Sequence, residues 1–117
     1  MAYFQIKRTN KYGNKSAIYN GISYHSNKEA DYAAELDMRI RGKDIKSWKR
    51  QIPIRLCAYG KPICTYYIDF IIKHNDNSEE YVEVKGFKTE VWRLKWKMTE
   101  ALFGTKKMAN KKLTLIT

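Results

Sequence analysis

Asp69 interrupts an apolar run, Ile63 to Ile72, that otherwise reads as a buried strand, and Glu83-Val84-Lys85 lies on the next strand. Side chains at i and i+2 share a strand face, so Glu83 and Lys85 point the same way while Val84 turns to the core. A turn centred near Asp76 brings Asp69 opposite Glu83, with Ile68, Phe70, Ile72, Val82 and Val84 as an apolar face behind them. Two carboxylates and an ammonium then meet on one surface patch. Adjacent acids repel, and a divalent cation is the natural way to keep both ionised. Each motif alone has an ordinary reading: an edge or turn-adjacent Asp, and a surface Glu-x-Lys ion pair.

A third acid comes from a helix. Ser26 can cap a helix that runs to about Arg41 and stops at Gly42. Its positions Glu29, Ala33, Leu36 and Ile40 form one stripe, and an acid heading an apolar stripe is misplaced unless something there needs it. The competing account is a capping box, in which Glu29 bonds the Ser26 N–H. Asp31, Glu35 and Asp37 fall off the stripe and read as solvated.

The elements that must position these groups follow from local signals. Residues 1–15, with Lys7, Arg8, Lys11 and Lys15, show no periodicity and read as a basic, flexible arm ahead of a single domain over residues 16–117. Asn20-Gly21 between two β-prone triplets signals a hairpin. Ile45 to about Tyr59 holds one strand or two, bent near Pro53, and Gly60-Lys61 reads as a turn. Cys64 to Lys73 and Glu80 to Phe87 are strands. Thr89 caps a second helix to Phe103, ended by Gly104, and Leu113 to Thr117 forms a last strand. Hairpin, helix, three strands, helix, strand is the order of an α/β (α+β) fold, a central mixed sheet flanked by helices.

Composition narrows the partner. The chain has 117 residues, 44% of them hydrophobic, so it folds around a core; its formal charge of +11 favours a polyanionic partner. No apolar segment is long enough to span a membrane, and no signal peptide is visible, which points to the cytoplasm. Cys57 and Cys64 make no C-x-x-C pair and read as free thiols. His25 and His74 have no spacing partners and read as surface residues.

The order helix Glu29, strand Asp69, strand Glu83-x-Lys85, helix resembles the PD-(D/E)XK nuclease superfamily, with Ile68 in place of the Pro before Asp69. Asn20-Gly21-Ile22-Ser23-Tyr24-His25-Ser26-Asn27-Lys28-Glu29-Ala30 is similar to the opening of small phage endonucleases of the DUF1064 type. So are Ile45 to Gln51, Thr65 to Phe70 and Val82 to Thr89, and the resemblance covers residues 11–117. It implies a restriction-endonuclease-like core and a phage protein that hydrolyses DNA phosphodiesters, with a Holliday-junction resolvase of DNA recombination as the leading expectation. It also implies that Asp69, Glu83 and the Val84 carbonyl ligate Mg²⁺ (Mn²⁺ as a substitute), that Glu29 joins directly or through water, and that Lys85 orients the attacking water. No organic cofactor is expected. A homodimer in the bacterial host cytoplasm would supply two sites for two symmetric nicks. The alternatives are another nicking or double-strand endonuclease of phage replication or transposase-like cleavage, and a non-catalytic DNA-binding module.

Cations around this centre are candidate DNA contacts: Lys88 first, then Arg93, Lys95, Lys97, Lys106 and Lys107. The resemblance adds Gln51, on phosphate or a metal-bound water. Trp92 and Trp96 carry two readings, core or subunit contact against base stacking, while Val91, Leu94, Met98 and Ala101 are expected to form the buried stripe of their helix.

Overall fold

The computed structural model describes residues 6–8 and 17–117. The chain forms two compact units, Met1–Asp44 and Ile45–Thr117.

In the first unit, β1 (Ile6–Arg8), β2 (Ala17–Tyr19) and β3 (Ile22–Tyr24) make an antiparallel sheet in the order β1-β2-β3. Asn20 and Gly21 both take positive φ, 52° and 78°, as the hairpin signal requires. Strand β1 falls within the stretch read as a basic arm; the rest of that stretch lies outside the described residues. Helix α1 (Asn27–Arg41) packs on this sheet and is capped as expected, the Ser26 hydroxyl accepting the Glu29 N–H at 3.1 Å. Glu29, Ala33 and Leu36 are buried on one stripe, with Ala30 and Ala34 beside them. Asp37, expected in solvent, is half-buried and accepts the Tyr19 hydroxyl, because Tyr19 is buried and its O–H needs a partner.

The second unit is built on a four-stranded sheet ordered β4-β5-β6-β7: β4 (Ser47–Ala58), β5 (Lys61–Lys73), β6 (Glu79–Val84) and β7 (Lys111–Ile116). The first three are antiparallel, whereas β7 joins β6 in parallel after the crossover helix α2 (Glu90–Phe103) and a short 3-10 turn, Lys106–Met108. The sheet is therefore mixed and the fold α+β. Strand β4 is not broken at Pro53, which sits on an edge strand where a missing N–H is tolerated. The β4–β5 turn is Tyr59-Gly60, not Gly60-Lys61; both residues have positive φ, so Pro62 falls inside β5 and the turn needs nothing from it. Cys57 and Cys64 are free thiols.

The apolar side of α2 differs from expectation. Trp92, Trp96 and Thr99 are its buried residues, with Met98, Leu102 and Phe103 partly buried against the core, while Val91 and Leu94 are 63% and 61% exposed and Ala101 is exposed. Large rings reach the sheet from i and i+4; of the stripe read from aliphatic spacing, Met98 stays against the core while Val91, Leu94 and Ala101 turn outward. Trp92 and Trp96 stack on each other, centroids 5.5 Å apart, and pack with Ile54, Leu56, Tyr66, Ile68 and Tyr81.

Strand alternation breaks beside the acids. Ile68 packs in the same cluster as Tyr81, yet Tyr81 pairs with Ile71, which a regular strand would place on the opposite side from Ile68. Ile68, Asp69 and Phe70 are three consecutive buried residues. On the neighbouring strand Gln51, between the pairs Arg50–Phe70 and Ile52–Ile68, has φ 55°, a left-handed conformation costing a non-glycine residue about 1–2 kcal/mol. Ile68 therefore does not share one face with Phe70, Ile72, Val82 and Val84; it turns toward α2.

Candidate functional site: a buried pair of carboxylates

Strands β5 and β6 pair from Lys73–Glu79 to Phe70–Val82, and one further step along this register sets Asp69 opposite Glu83, as the turn near Asp76 implied. At that step side chains take over from the backbone ladder. The Glu83 Oε1 accepts the Asp69 N–H at 3.2 Å, and the Asp69 Oδ2 accepts the Val84 N–H at 2.9 Å. Each acid thus binds the main chain of the opposite strand. The pair is not on an open surface patch: Asp69 is 8% exposed and Glu83 4%, because the broken alternation and α2 enclose them.

The second oxygen of Glu83 is held from the helix side. The Tyr66 hydroxyl donates to Oε2 at 2.5 Å, and the Trp92 indole N–H lies 3.0 Å from the same oxygen and 2.8 Å from the Tyr66 hydroxyl. Burial, reinforced by the Asp69 charge, pushes the Glu83 carboxyl up to about 7, against hydrogen bonds from Tyr66, Trp92 and the Asp69 N–H that favour its ionised form. Burial, together with the bond to Glu83 and its charge, raises Tyr66 well above the usual tyrosine range, so it remains a donor.

A measurable consequence is the pH dependence of metal-free stability. With a folded-state value near 7 and an ordinary value of 4.5, Glu83 binds more protons in the folded chain than in the unfolded one across that interval. The associated stability is fully present below 4.5 and is lost as pH rises through about 7. In EDTA, thermal unfolding of the wild type is expected at lower temperature at alkaline than at mildly acidic pH, and Glu83→Gln should flatten that slope. Identical slopes in the two proteins would remove the charge of Glu83 as its cause.

Lys85, half-buried, follows directly on β6; its N–H donates to the Ile116 carbonyl at 2.8 Å, and its ammonium lies 5.6 Å from the centroid of the Trp92 ring. Glu83 and Lys85 therefore both meet Trp92, in keeping with their shared strand face. Val84 is present through its backbone, whose N–H serves Asp69. Glu29 belongs to the first unit, is 4% exposed, and has its carboxylate 3.7 Å from His25 Nδ1. Among the described residues, no group of three or more His, Cys, Asp or Glu side chains is gathered to hold a metal ion.

The remaining candidates scatter around the second unit. Gln51 stands on β4 across from Asp69, half-buried. Lys88 is half-buried between β6 and α2; Arg93 and Lys97 are exposed on α2, Lys95 is half-buried, and Lys106 and Lys107 are exposed on the 3-10 turn. Trp92 and Trp96, 7% and 9% exposed, are core residues and are corrected as candidates for base stacking. His74 also has a partner after all: its Nε2 lies 2.8 Å from the Glu80 carboxylate, which the Thr114 hydroxyl also reaches at 2.6 Å.

Sequence reasoning missed Tyr66 and Trp92 as the holders of Glu83. A buried tyrosine or tryptophan usually seeks a polar partner for its O–H or N–H, and that rule was the available signal. It could not name the partner, because Tyr66 meets Glu83 only through the altered alternation of β5.

Geometry thus defines an α+β protein with a buried Asp–Glu pair at the end of a strand ladder, each acid bonded to the main chain of the opposite strand, and a lysine close by. The chain belongs to the family described as protein of unknown function DUF1064, which matches residues 9–116. No curated protein and no solved structure matches it. No helix among the described residues is long and apolar enough to cross a membrane.

Proposed function

We propose that this chain is a Mg²⁺-dependent endonuclease of the PD-(D/E)XK type that hydrolyses phosphodiester bonds in branched DNA, with the four-way junction of recombination as its leading substrate. The supporting observation is the Asp69–Glu83 pair, two buried carboxylates on facing strands that each accept a main-chain N–H of the opposite strand, with Lys85 two residues beyond Glu83. Two buried acids side by side are unfavourable when both are ionised, and the raised Glu83 expresses that cost.

This donor set fits a hard divalent cation. Mg²⁺ takes one or two carboxylates and keeps several waters, and an ionised carboxylate has about four lone-pair positions, more than the bonds on Glu83 consume. Asp69, Glu83 and the Val84 carbonyl would hold it. When bound, the ion supplies an acidified water and a polarised phosphoryl oxygen.

The chain's own groups do the rest. Tyr66 and Trp92 fix the Glu83 carboxylate by two donors, and the Val84 N–H fixes that of Asp69, so neither acid has to reorganise when substrate arrives. The Lys85 ammonium offers positive charge to the phosphoryl oxygens and a donor to orient the water. A role for Glu29 is supported by its burial as a carboxylate on the α1 stripe. Net charge +11 draws DNA toward this acidic pocket, and a two-fold homodimer in the bacterial host cytoplasm would place two such sites on one junction.

The test is cleavage of a synthetic four-way junction, a linear duplex and a single strand, each in Mg²⁺ and in EDTA. Junction nicking in Mg²⁺ alone is the expected result. Equal rates on linear duplex would defeat the junction preference, and binding without cleavage in any divalent ion would favour a non-catalytic DNA-binding module.

A further inference from the structure

Strand β4 is the outer strand of the four-stranded sheet, and among the described residues no strand lies beside its free edge. A groove of about 580 Å³ runs between the end of this strand and α2. One wall is Arg55, Leu56, Cys57 and Ala58; the other is Met98, Ala101 and Leu102, at i, i+3 and i+4, continued by Thr105 and Lys107. Side chains alternate sides along a strand, so a groove that touches four consecutive residues lies along the strand's edge. The bulge between Leu56 and Cys57 can bring two neighbours to one side, not four. The outward main-chain groups of β4 therefore border the groove, and residues 54–58 include no proline to remove a donor. Its floor is aliphatic: Leu56 is buried in the core, and Met98 and Leu102 are partly buried against it. Arg55 and Lys107 are exposed, and no acid lines the groove.

We infer that this groove docks an extended, acidic segment of a partner protein, added to β4 as a fifth strand. Main-chain bonds to the edge would supply affinity, and alternate apolar side chains seated against Met98, Ala101 and Leu102 would supply specificity. The two walls match in length: the strand steps from Arg55 to Ala58 and the turns from Met98 to Thr105 each cover about 10 Å. That is room for about four residues of extended chain. Arg55 and Lys107 select carboxylates at the segment's flanks. A nucleic acid would gain little, because no aromatic ring lines the groove for a base and phosphate has no use for an aliphatic floor. A second copy paired edge to edge here would add the same two cations, like charge on like, so a two-fold dimer is left to another face. The groove shares no residue with the acid pair, Lys85, Tyr66 or Trp92, and docking in it is independent of the nuclease reading.

The probe is a library of random linear peptides displayed on phage and selected on the immobilised wild-type chain. The recovered peptide is synthesised with a fluorescent label and its binding read by anisotropy. Sequences of net negative charge with apolar residues at alternate positions are expected. Methylating the peptide's main-chain nitrogens one at a time should abolish binding at every second residue and spare those between, the signature of strand addition. Ala101→Trp, which would fill the groove from an exposed helix position, should weaken the peptide by about tenfold or more. Its urea midpoint and its binding to a four-way junction in EDTA should match the wild type. Recovery of no peptide, recovered sequences without acidic residues, or equal binding to Ala101→Trp each overturn the inference, as does equal tolerance of methylation along the peptide. Wild-type self-association that Ala101→Trp abolishes would give the groove to a second copy, and a matching loss of junction binding would give it to nucleic acid. Either result likewise overturns a partner segment as the occupant.

Discussion

Asp69→Asn is expected to lower Mg²⁺-dependent cleavage by on the order of 10³-fold while leaving the protein folded, because losing several kcal/mol of metal-centred stabilisation translates into that factor. The amide oxygen of Asn can still accept the Val84 N–H, so the latch between β5 and β6 survives. Removing one of two like charges also relieves Glu83, whose elevation has the Asp69 charge as its second cause after burial. In EDTA the variant should therefore unfold at a temperature no lower than the wild type. Lys85→Ala is expected to fall in the same activity class, and its N–H bond to Ile116 is main chain and unaffected. The pair of readouts separates chemistry from folding. Full activity in either variant, with Mg²⁺ present, would sink the proposed site.

Trp92→Ala should produce the largest loss of stability, about 3–5 kcal/mol, the usual range for truncating a buried aromatic residue. The ring stacks on Trp96 and packs with Tyr66 and Ile68, and its indole N–H serves Glu83. Trp92→Phe keeps most of the packing but removes that donor, leaving the Glu83 Oε2 with Tyr66 alone; a cost of about 1–3 kcal/mol is expected. Urea unfolding measures both. Had the two tryptophans been a stacking platform for DNA, Trp92→Ala would leave the unfolding midpoint in place and weaken DNA binding instead. An unchanged midpoint is thus the result that would return Trp92 to the DNA surface.

Much of the architecture was legible because it is local. Asn20-Gly21, Ser26 with Gly42, and Thr89 with Gly104 each announce a turn or a helix end through the residue's own conformational or capping preference, and all lie where expected. The β5–β6 register was legible too, since a short polar turn between two apolar strands leaves little freedom in which residue faces which. The buried side of α2 was not. Aliphatic residues at Val91, Leu94 and Ala101 match a helical stripe as well as Trp92, Trp96 and Thr99 do, and only the sheet beneath decides which side is covered.

The amino-acid sequence by itself determined the order of elements, the excess positive charge, and the facing of Asp69 and Glu83, because these depend on spacing and on turn chemistry. Tertiary structure alone decided that the two acids are buried and bonded to each other's strand, and that Tyr66 and Trp92 hold one of them. The physical reason lies in one place. Where side chains change sides around Gln51 and Asp69, period-two reasoning no longer tells which residues meet, and contacts across the sheet take over.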